Sequence, residues 1–326
     1  MATLNLIQAI NNTLDQQLEK NDKVVVYGED VGHQGGVFRA TVGLQKKYGE
    51  ARVFDAPIAE SSIVGTAIGM AIAGMKPVIE LQFDGFMFPA YNQIVTQLAR
   101  TRNRSRGNYT APIVIRIPVG GGIRGLEHHS ESLETYLGHI PGIKVVIPST
   151  PYDAKGLLTA AINSEDPVIF LEPKRIYRSG KQEVPEEEYE IEIGKAKVLK
   201  EGTDITVVGW GAQLREINAA VAEIEANSDV TVEVIDLRTI NPIDSETIIE
   251  SVKKTGRFLV VHEAMRTYGP GAELIALVNE KAFLHLEAPA TRLTGFDVII
   301  PLARGEKHFM ITKEQIKAEI EKVVAY

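Results

Sequence analysis

The sequence predicts an α/β protein of two α/β domains, each a largely parallel sheet covered by helices. Three observations predict it. Short apolar runs alternate with helical stretches through the first half; a charged, proline-bearing segment interrupts the alternation; and the alternation then restarts on a smaller scale. At 326 residues the chain has room for two cores. The boundary falls near residue 190, giving domains 1–190 and 191–326.

The elements follow in order. After the first few residues, Ile7, Ile10, Leu14 and Leu18 share one side of a helix. Runs 24–27, 53–55, 77–82, 113–117, 144–147 and 168–171 are apolar without alternation, as in parallel strands buried on both faces. Residues 90–100 and 151–163 are helical. A further apolar stretch, 63–74, follows Glu60, Ser61 and Ser62; it predicts a helix buried on most sides, with the hydroxyls capping its first turn. Residues 180–189 carry no period and predict a surface linker. Beyond them, strands at 205–208, 230–236 and 258–261 alternate with helices at 214–225 and 244–255. The last helix opens on a capping box, Thr312-Lys313-Glu314-Gln315, and runs to Val323.

Composition excludes several classes. Hydrophobic residues make up 44% and charged residues 24%, the mixture of a soluble globular protein. A formal net charge of −8 argues against a general binder of nucleic acid or of anionic membrane. No cysteine is present, which removes disulfides, thiolate metal sites and thiol nucleophiles. With no signal peptide or membrane span visible, the expected location is the cytoplasm.

Glu60 stands where a nearly wholly apolar helix begins. Such a carboxylate either satisfies the helix N-terminus or an arginine, or is held for proton chemistry. Gly120-Gly121-Gly122-Ile123-Arg124-Gly125 satisfies G-x-G-x-x-G after a strand, but the polar Leu126-Glu127-His128-His129-Ser130-Glu131 follows where an apolar helix would have to aim at a pyrophosphate. The better reading is a loop that carries a histidine toward a site. Adjacent histidines point different ways on regular structure, so one of the two at most does chemistry. His128 and Glu131 lack a third ligand cluster for a metal. The arginine run from Arg100 to Arg106 has no aromatic interleaving and reads as a solvated face or a contact for an acidic partner. G-x-S-x-G and P-loop patterns are absent.

Gly28-Glu29-Asp30-Val31, Gly35-Gly36-Val37-Phe38-Arg39-Ala40-Thr41, Ala59-Glu60-Ser61, Gln82-Phe83-Asp84-Gly85-Phe86, His129-Ser130-Glu131 and the run from Val146 to Gly156 together carry a resemblance. The chain resembles the β subunit of thiamine-diphosphate-dependent 2-oxo acid dehydrogenases, and the likeness continues through Asp236-Leu237-Arg238-Thr239 to the C-terminus. The resemblance implies a transketolase-like pyrimidine-binding domain followed by a transketolase C-terminal-like domain. Pro148-Ser149-Thr150-Pro151 and the segment from Gln182 to Glu187 are most like bacterial pyruvate enzymes; Glu172-Pro173-Lys174 and Phe88-Pro89-Ala90 lean toward the branched-chain enzymes. The implied activity is oxidative decarboxylation of pyruvate with reductive acetylation of a lipoyl group. A branched-chain 2-oxo acid is the alternative substrate, and a non-catalytic scaffold the alternative of another class.

The same resemblance implies roles. Glu60 would hydrogen-bond the cofactor's aminopyrimidine, Phe86 would stack on it, Glu29 would line the cleft, and His129 would act on the substrate or lipoyl side. Ile113, Ala161, Ile162, Ser164 and Asp166 fall where relatives bind structural potassium, with Ser164 in place of a common aspartate. The diphosphate needs magnesium held by oxygen ligands, yet the Gly-Asp-Gly segment that thiamine enzymes use for it is missing. An α subunit is therefore expected to hold Mg2+ and share the thiamine diphosphate, in an α2β2 assembly that works with a lipoyl acyltransferase.

Overall fold

Asn5 and Gln8 close the start of the first helix, Leu6–Lys20, with reciprocal side-chain-to-backbone bonds, and the helix buries Leu6, Ile7, Ile10, Leu14 and Leu18. The stripe read from the sequence is its core face. The structure, a computed structural model, describes residues 1–326. Strand β1 (Ala2–Leu4), ahead of that helix, pairs antiparallel with β8 (Gln182–Val184).

Beneath the helix lies a sheet of seven strands. Its members are β2 (Val24–Gly28), β3 (Val53–Asp55), β4 (Lys76–Glu80), β5 (Val114–Val119), β6 (Lys144–Val146), β7 (Val168–Pro173) and β12 (Thr239–Asn241), in the spatial order β12-β6-β7-β5-β4-β2-β3. Every pair is parallel except β12 with β6. Strands β2, β5 and β7 are buried from end to end, which is why they lack alternation. The edge strand β12 comes from the second half of the chain, so the two halves are laced together beyond residue 190.

The second sheet has five strands, β14 (Thr291–Gly295), β13 (Phe258–Met265), β10 (Ile205–Gly209), β11 (Val232–Asp236) and β9 (Lys197–Lys200), in that spatial order with β9 antiparallel. Helices Gln213–Asn227 and Lys313–Val324 cover it on one side; Thr312 and Gln315 form the capping box of the latter. One apolar core runs from Tyr27 and Ile79 through Leu171 to Trp210, Phe258 and Leu274, so it spans both domains. No helix is long and apolar enough to cross a membrane.

Two expectations need correction. Residues 180–189 are docked on the first domain, not a free linker: besides β8, Lys155 Nζ takes the carbonyls of Pro185 and Glu186 at 2.7 and 3.0 Å, and Tyr189 stacks on Tyr152 at 4.6 Å. The reason is unmet polarity, since the ammonium on the helix Pro151–Asn163 is reached by those carbonyls. The helix Glu60–Ile72 buries one face only, through Ile63, Val64, Ala67 and Ala71, and leaves Ile72 exposed. Its cap is Ala59, which makes no side-chain bond, and the Ser61 hydroxyl turns instead to the carbonyl of Pro89.

His262 on β13 stacks on the single tryptophan, Trp210, with centroids 5.4 Å apart, and its Nε2 accepts the Gly271 amide at 3.2 Å. Burial pushes its pKa down to about 3. The unfolded chain takes a proton there near the ordinary histidine value, while the folded chain refuses it, so this site stabilises the fold above that value and the contribution is lost as pH falls. Comparison of wild type with His262→Gln by denaturant unfolding, followed through Trp210 fluorescence, isolates it. The wild type's advantage should shrink by about 1.4 kcal/mol for each pH unit below roughly 6.5; a constant difference would contradict a buried neutral imidazole.

Candidate functional site

Because β2, β3 and β4 are parallel, the segments that leave their carboxyl ends share one rim, where open α/β sheets place their ligands. Strand β2 delivers Glu29, and the turn after β3 delivers Glu60 as the first residue of its helix. Tyr27 holds the two together: its ring stacks on Phe54 at 4.7 Å, and its hydroxyl donates to the carbonyl of Ile63 at 2.8 Å. Glu29 is buried and its Oε1 has no hydrogen-bond partner. Burial raises its pKa, and the neighbouring Glu60, Asp30 and Glu80 raise it further. Glu60 is half-buried beside helix amides that no side chain caps.

Under this pair lies a closed ionic network. Arg116 is buried on β5; it donates to Glu172 through Nε and Nη2 at 2.7 and 2.9 Å, and to Glu80 through Nη1 at 2.8 Å. Tyr177 adds a bond from its hydroxyl to Glu172 at 2.5 Å. Glu80 stands opposite Arg116 in register, and Glu172 two residues beyond Arg116's own partner on β7. Burial raises the Glu80 pKa, with Arg116 opposing the rise.

Phe86 and His129 meet on the same rim. After β4 the chain makes a tight turn, Asp84–Phe86. His129 packs on Phe83 at 4.2 Å and on Phe86 at 5.2 Å, and its Nδ1 lies 2.8 Å from the carbonyl of Glu127. His128 faces solvent at φ +66°, while its carbonyl accepts the Gly85 amide at 3.1 Å. A Cβ on Gly85 would come within 2.5 Å of that oxygen, so only glycine lets the two segments touch. The turn is anchored by a buried pair, Asp84 with Lys174; the ammonium also donates to Pro118 O at 3.3 Å and lies 5.7 Å over the Phe83 ring. Burial pushes the Asp84 carboxyl up to about 6, against the pull of Lys174.

The glycine loop binds anions after all, but they belong to the protein. The Gly121 amide donates to Glu263, and the amides of Gly122 and Arg124 donate to the two oxygens of Glu306, each at 2.8 Å. With the amides of Gly120, Gly121, Gly122 and Arg124 taken, the loop cannot present the run of free amides that a dinucleotide pyrophosphate needs. In the arginine run, Arg100 and Arg104 bond the helix behind them and Arg102 meets Asp166 at 2.6 Å. The oxygens expected around potassium have partners within the chain. Lys76 Nζ donates to Ile162 O at 3.1 Å and Lys144 Nζ to Ser164 Oγ at 3.1 Å, while the carbonyls of Ile113 and Ala161 accept the amides of Val168 and Ser164.

Residues 2–180 match the family described as transketolase, pyrimidine binding domain, and residues 194–316 match transketolase, C-terminal domain. The chain is 65% identical over 323 residues to the pyruvate dehydrogenase E1 component subunit beta of Acholeplasma laidlawii, covering 99% of this chain and 98% of the relative. The chain belongs to the family of pyruvate dehydrogenase E1 β subunits. The E1 β subunits of Mycoplasma genitalium (53% identical; 94% of this chain, 93% of the relative) and Staphylococcus epidermidis strain RP62A (51%; 98% and 100%) lie further off. Among solved structures, a split gene transketolase described as an inactive beta4 tetramer superposes with TM-score 0.81 at 22% identity, covering 99% of both chains, and shows the shared fold.

Sequence alone assigns no role to Asp84 and Lys174, which stand within E1 β-like motifs, and does not single out Glu80, Arg116, Glu263 or Glu306. A charge inside an apolar strand run was the available signal for Glu80 and Arg116; Glu306 offered none. Breaking the Asp84–Lys174 pair should be costly. Lys174→Met leaves a buried carboxylate alone, with an expected loss of about 3–5 kcal/mol, eased at acid pH where Asp84 takes a proton. Denaturant unfolding should show the double variant Asp84→Asn/Lys174→Met recovering much of the loss; strict additivity would mean the pair does not act as one.

Proposed function

We propose that this chain contributes half of a thiamine diphosphate site to a pyruvate dehydrogenase decarboxylating component, completed by an α subunit in an α2β2 assembly that reductively acetylates a lipoyl group. The membership of the chain among E1 β subunits supports this reading. The observation that carries it is the unpartnered, buried oxygen of Glu29 beside Glu60, on the rim that also holds Phe86 and His129. A buried polar atom without a partner calls for a donor from outside the chain.

The donor set fits an aminopyrimidine. Glu60 would donate a hydrogen bond to the ring nitrogen and pass its proton there; Glu29, protonated more readily than an ordinary carboxyl, limits the negative charge at its side. Phe86 offers an aromatic face. When bound, thiamine diphosphate supplies the electron sink for loss of carbon dioxide. His129, held by the Glu127 carbonyl and packed on Phe83, would serve the oxo acid or the incoming lipoyl group.

Magnesium and the diphosphate are assigned to the α subunit. Potassium fits its expected ligands poorly: Ile162, Ser164 and Asp166 already face Lys76, Lys144 and Arg102, so an added cation would meet three positive charges. The lysines serve as the cations at this place. Operation in the cytoplasm with a lipoyl acyltransferase completes the reading.

The test is reconstitution. Alone, the chain should fold, bind thiamine diphosphate weakly by calorimetry and lack turnover, because half a site contributes only part of the binding energy. With its α subunit it should oxidise pyruvate; tight magnesium-dependent binding by the lone chain, or preference for 3-methyl-2-oxobutanoate, would overturn the assignment.

Glu60→Gln should assemble normally and lose roughly 10²–10⁴-fold in turnover, the usual range for a proton-transfer group. Activity within about twofold of wild type, far outside that range, would leave Glu60 a helix-terminal residue only.

A further inference from the structure

The His129 loop leaves β5 in the first domain, and its two ends are held there. The Gly120 amide donates to Glu131 O at 2.8 Å, and the His128 carbonyl accepts Gly85 N. Its middle is held by the other domain. Glu306 opens the short helix Glu306–Phe309, is buried, and spends both carboxylate oxygens on this loop. Oε1 accepts from the Gly122 amide at 2.8 Å and from Ser130 Oγ at 3.3 Å; Oε2 accepts from the Arg124 amide at 2.8 Å. Glu263, on β13, takes the Gly121 amide and the Gln213 side chain. Gly122 and Arg124 have φ of +91° and +57°, the left-handed geometry that turns successive amides toward one anion.

We propose that Glu306 is a positioning residue for acyl transfer: by accepting from Gly122, Arg124 and Ser130 it fixes the loop on which His129 reaches the substrate, and so lets the C-terminal domain set that histidine's place. This rests on the role given to His129 above. Three donors converge on two oxygens, so both oxygens of the side chain serve as acceptors. A glutamine of the same shape turns an NH2 group toward at least one donor, so Glu306→Gln changes the hydrogen bonding without opening a cavity. The loop's pull comes from a residue 176 positions beyond Ser130, joined to it only through the second domain's fold.

The experiment uses the chain assembled with its α subunit, as wild type, Glu306→Gln and Glu306→Asp. Hydrogen exchange read on peptides covering residues 120–131 measures the loop; pyruvate-dependent reduction of ferricyanide and acetylation of an isolated lipoyl domain measure the chemistry. Glu306→Gln should speed exchange at the Gly122 and Arg124 amides, raise KM for the lipoyl domain, and slow its acetylation by roughly ten- to a hundredfold, the scale of an ångström's misplacement, with a smaller effect on ferricyanide reduction. Glu306→Asp, which keeps the charge, should restore part of both. Unchanged exchange, or faster exchange with both activities lowered equally, overturns the proposal, as does an aspartate variant worse than the glutamine. Wild-type enzyme that fails on pyruvate in both assays would instead overturn the functional reading, and the exchange rates alone would then show whether Glu306 holds the loop.

Discussion

Arg116 sits buried in the middle of the first sheet, holding Glu172 by two bonds and Glu80 by a third. A guanidinium in that position needs carboxylates, and the carboxylates need it; removal of either side leaves a buried charge that nothing else on the sheet can meet. The pairing ties β4, β5 and β7 at the ends from which the functional segments depart. Glu29 emerges from the adjacent strand, near enough for Glu80 to help raise its pKa. The place of every side chain on the rim follows from where this network locks the strands.

The other buried acids obey the same rule, each in its own way. Asp84 takes a lysine and thereby fixes the turn bearing Phe86; Glu263 and Glu306 take backbone amides and thereby fix the loop bearing His129. Glu29, at the end of β2, keeps a buried carboxylate oxygen without a donor. Glu134 and Asp236 also keep one buried oxygen each without a partner, and what sets Glu29 apart is that Glu60 is among the neighbouring acids that raise its pKa. The interior is thus arranged so that local needs for hydrogen bonds assemble segments from distant parts of the chain.

The coupling of the two domains follows from the same accounting. The linking segment is docked by β8 and by Lys155, β12 returns to the first sheet, and the apolar core is continuous from Tyr27 to Leu274. Rigid-body freedom between domains would break all of these at once, and with them the bonds by which Glu263 and Glu306 hold the loop that carries His129.

What the amino-acid order determined by itself was local. The stripe at Ile7, Ile10, Leu14 and Leu18, the capping box at Thr312, the unbroken apolar strands and the helix Pro151–Asn163 are set by neighbours within a few residues, whose periodicity and capping act before any long contact forms. The family resemblance carried by short motifs also marked Glu29, Glu60, Phe86 and His129. The tertiary structure decided the rest: that Ser61 turns to Pro89 and caps nothing, that three residues of the surface linker pair with the first strand, that lysines face the oxygens expected around potassium, and that the glycine loop is filled by Glu263 and Glu306. Each of these depends on which donor meets which acceptor across tens to hundreds of residues. Such pairing carries no periodic signature along the chain, because it is settled by the three-dimensional search of buried polar groups for partners.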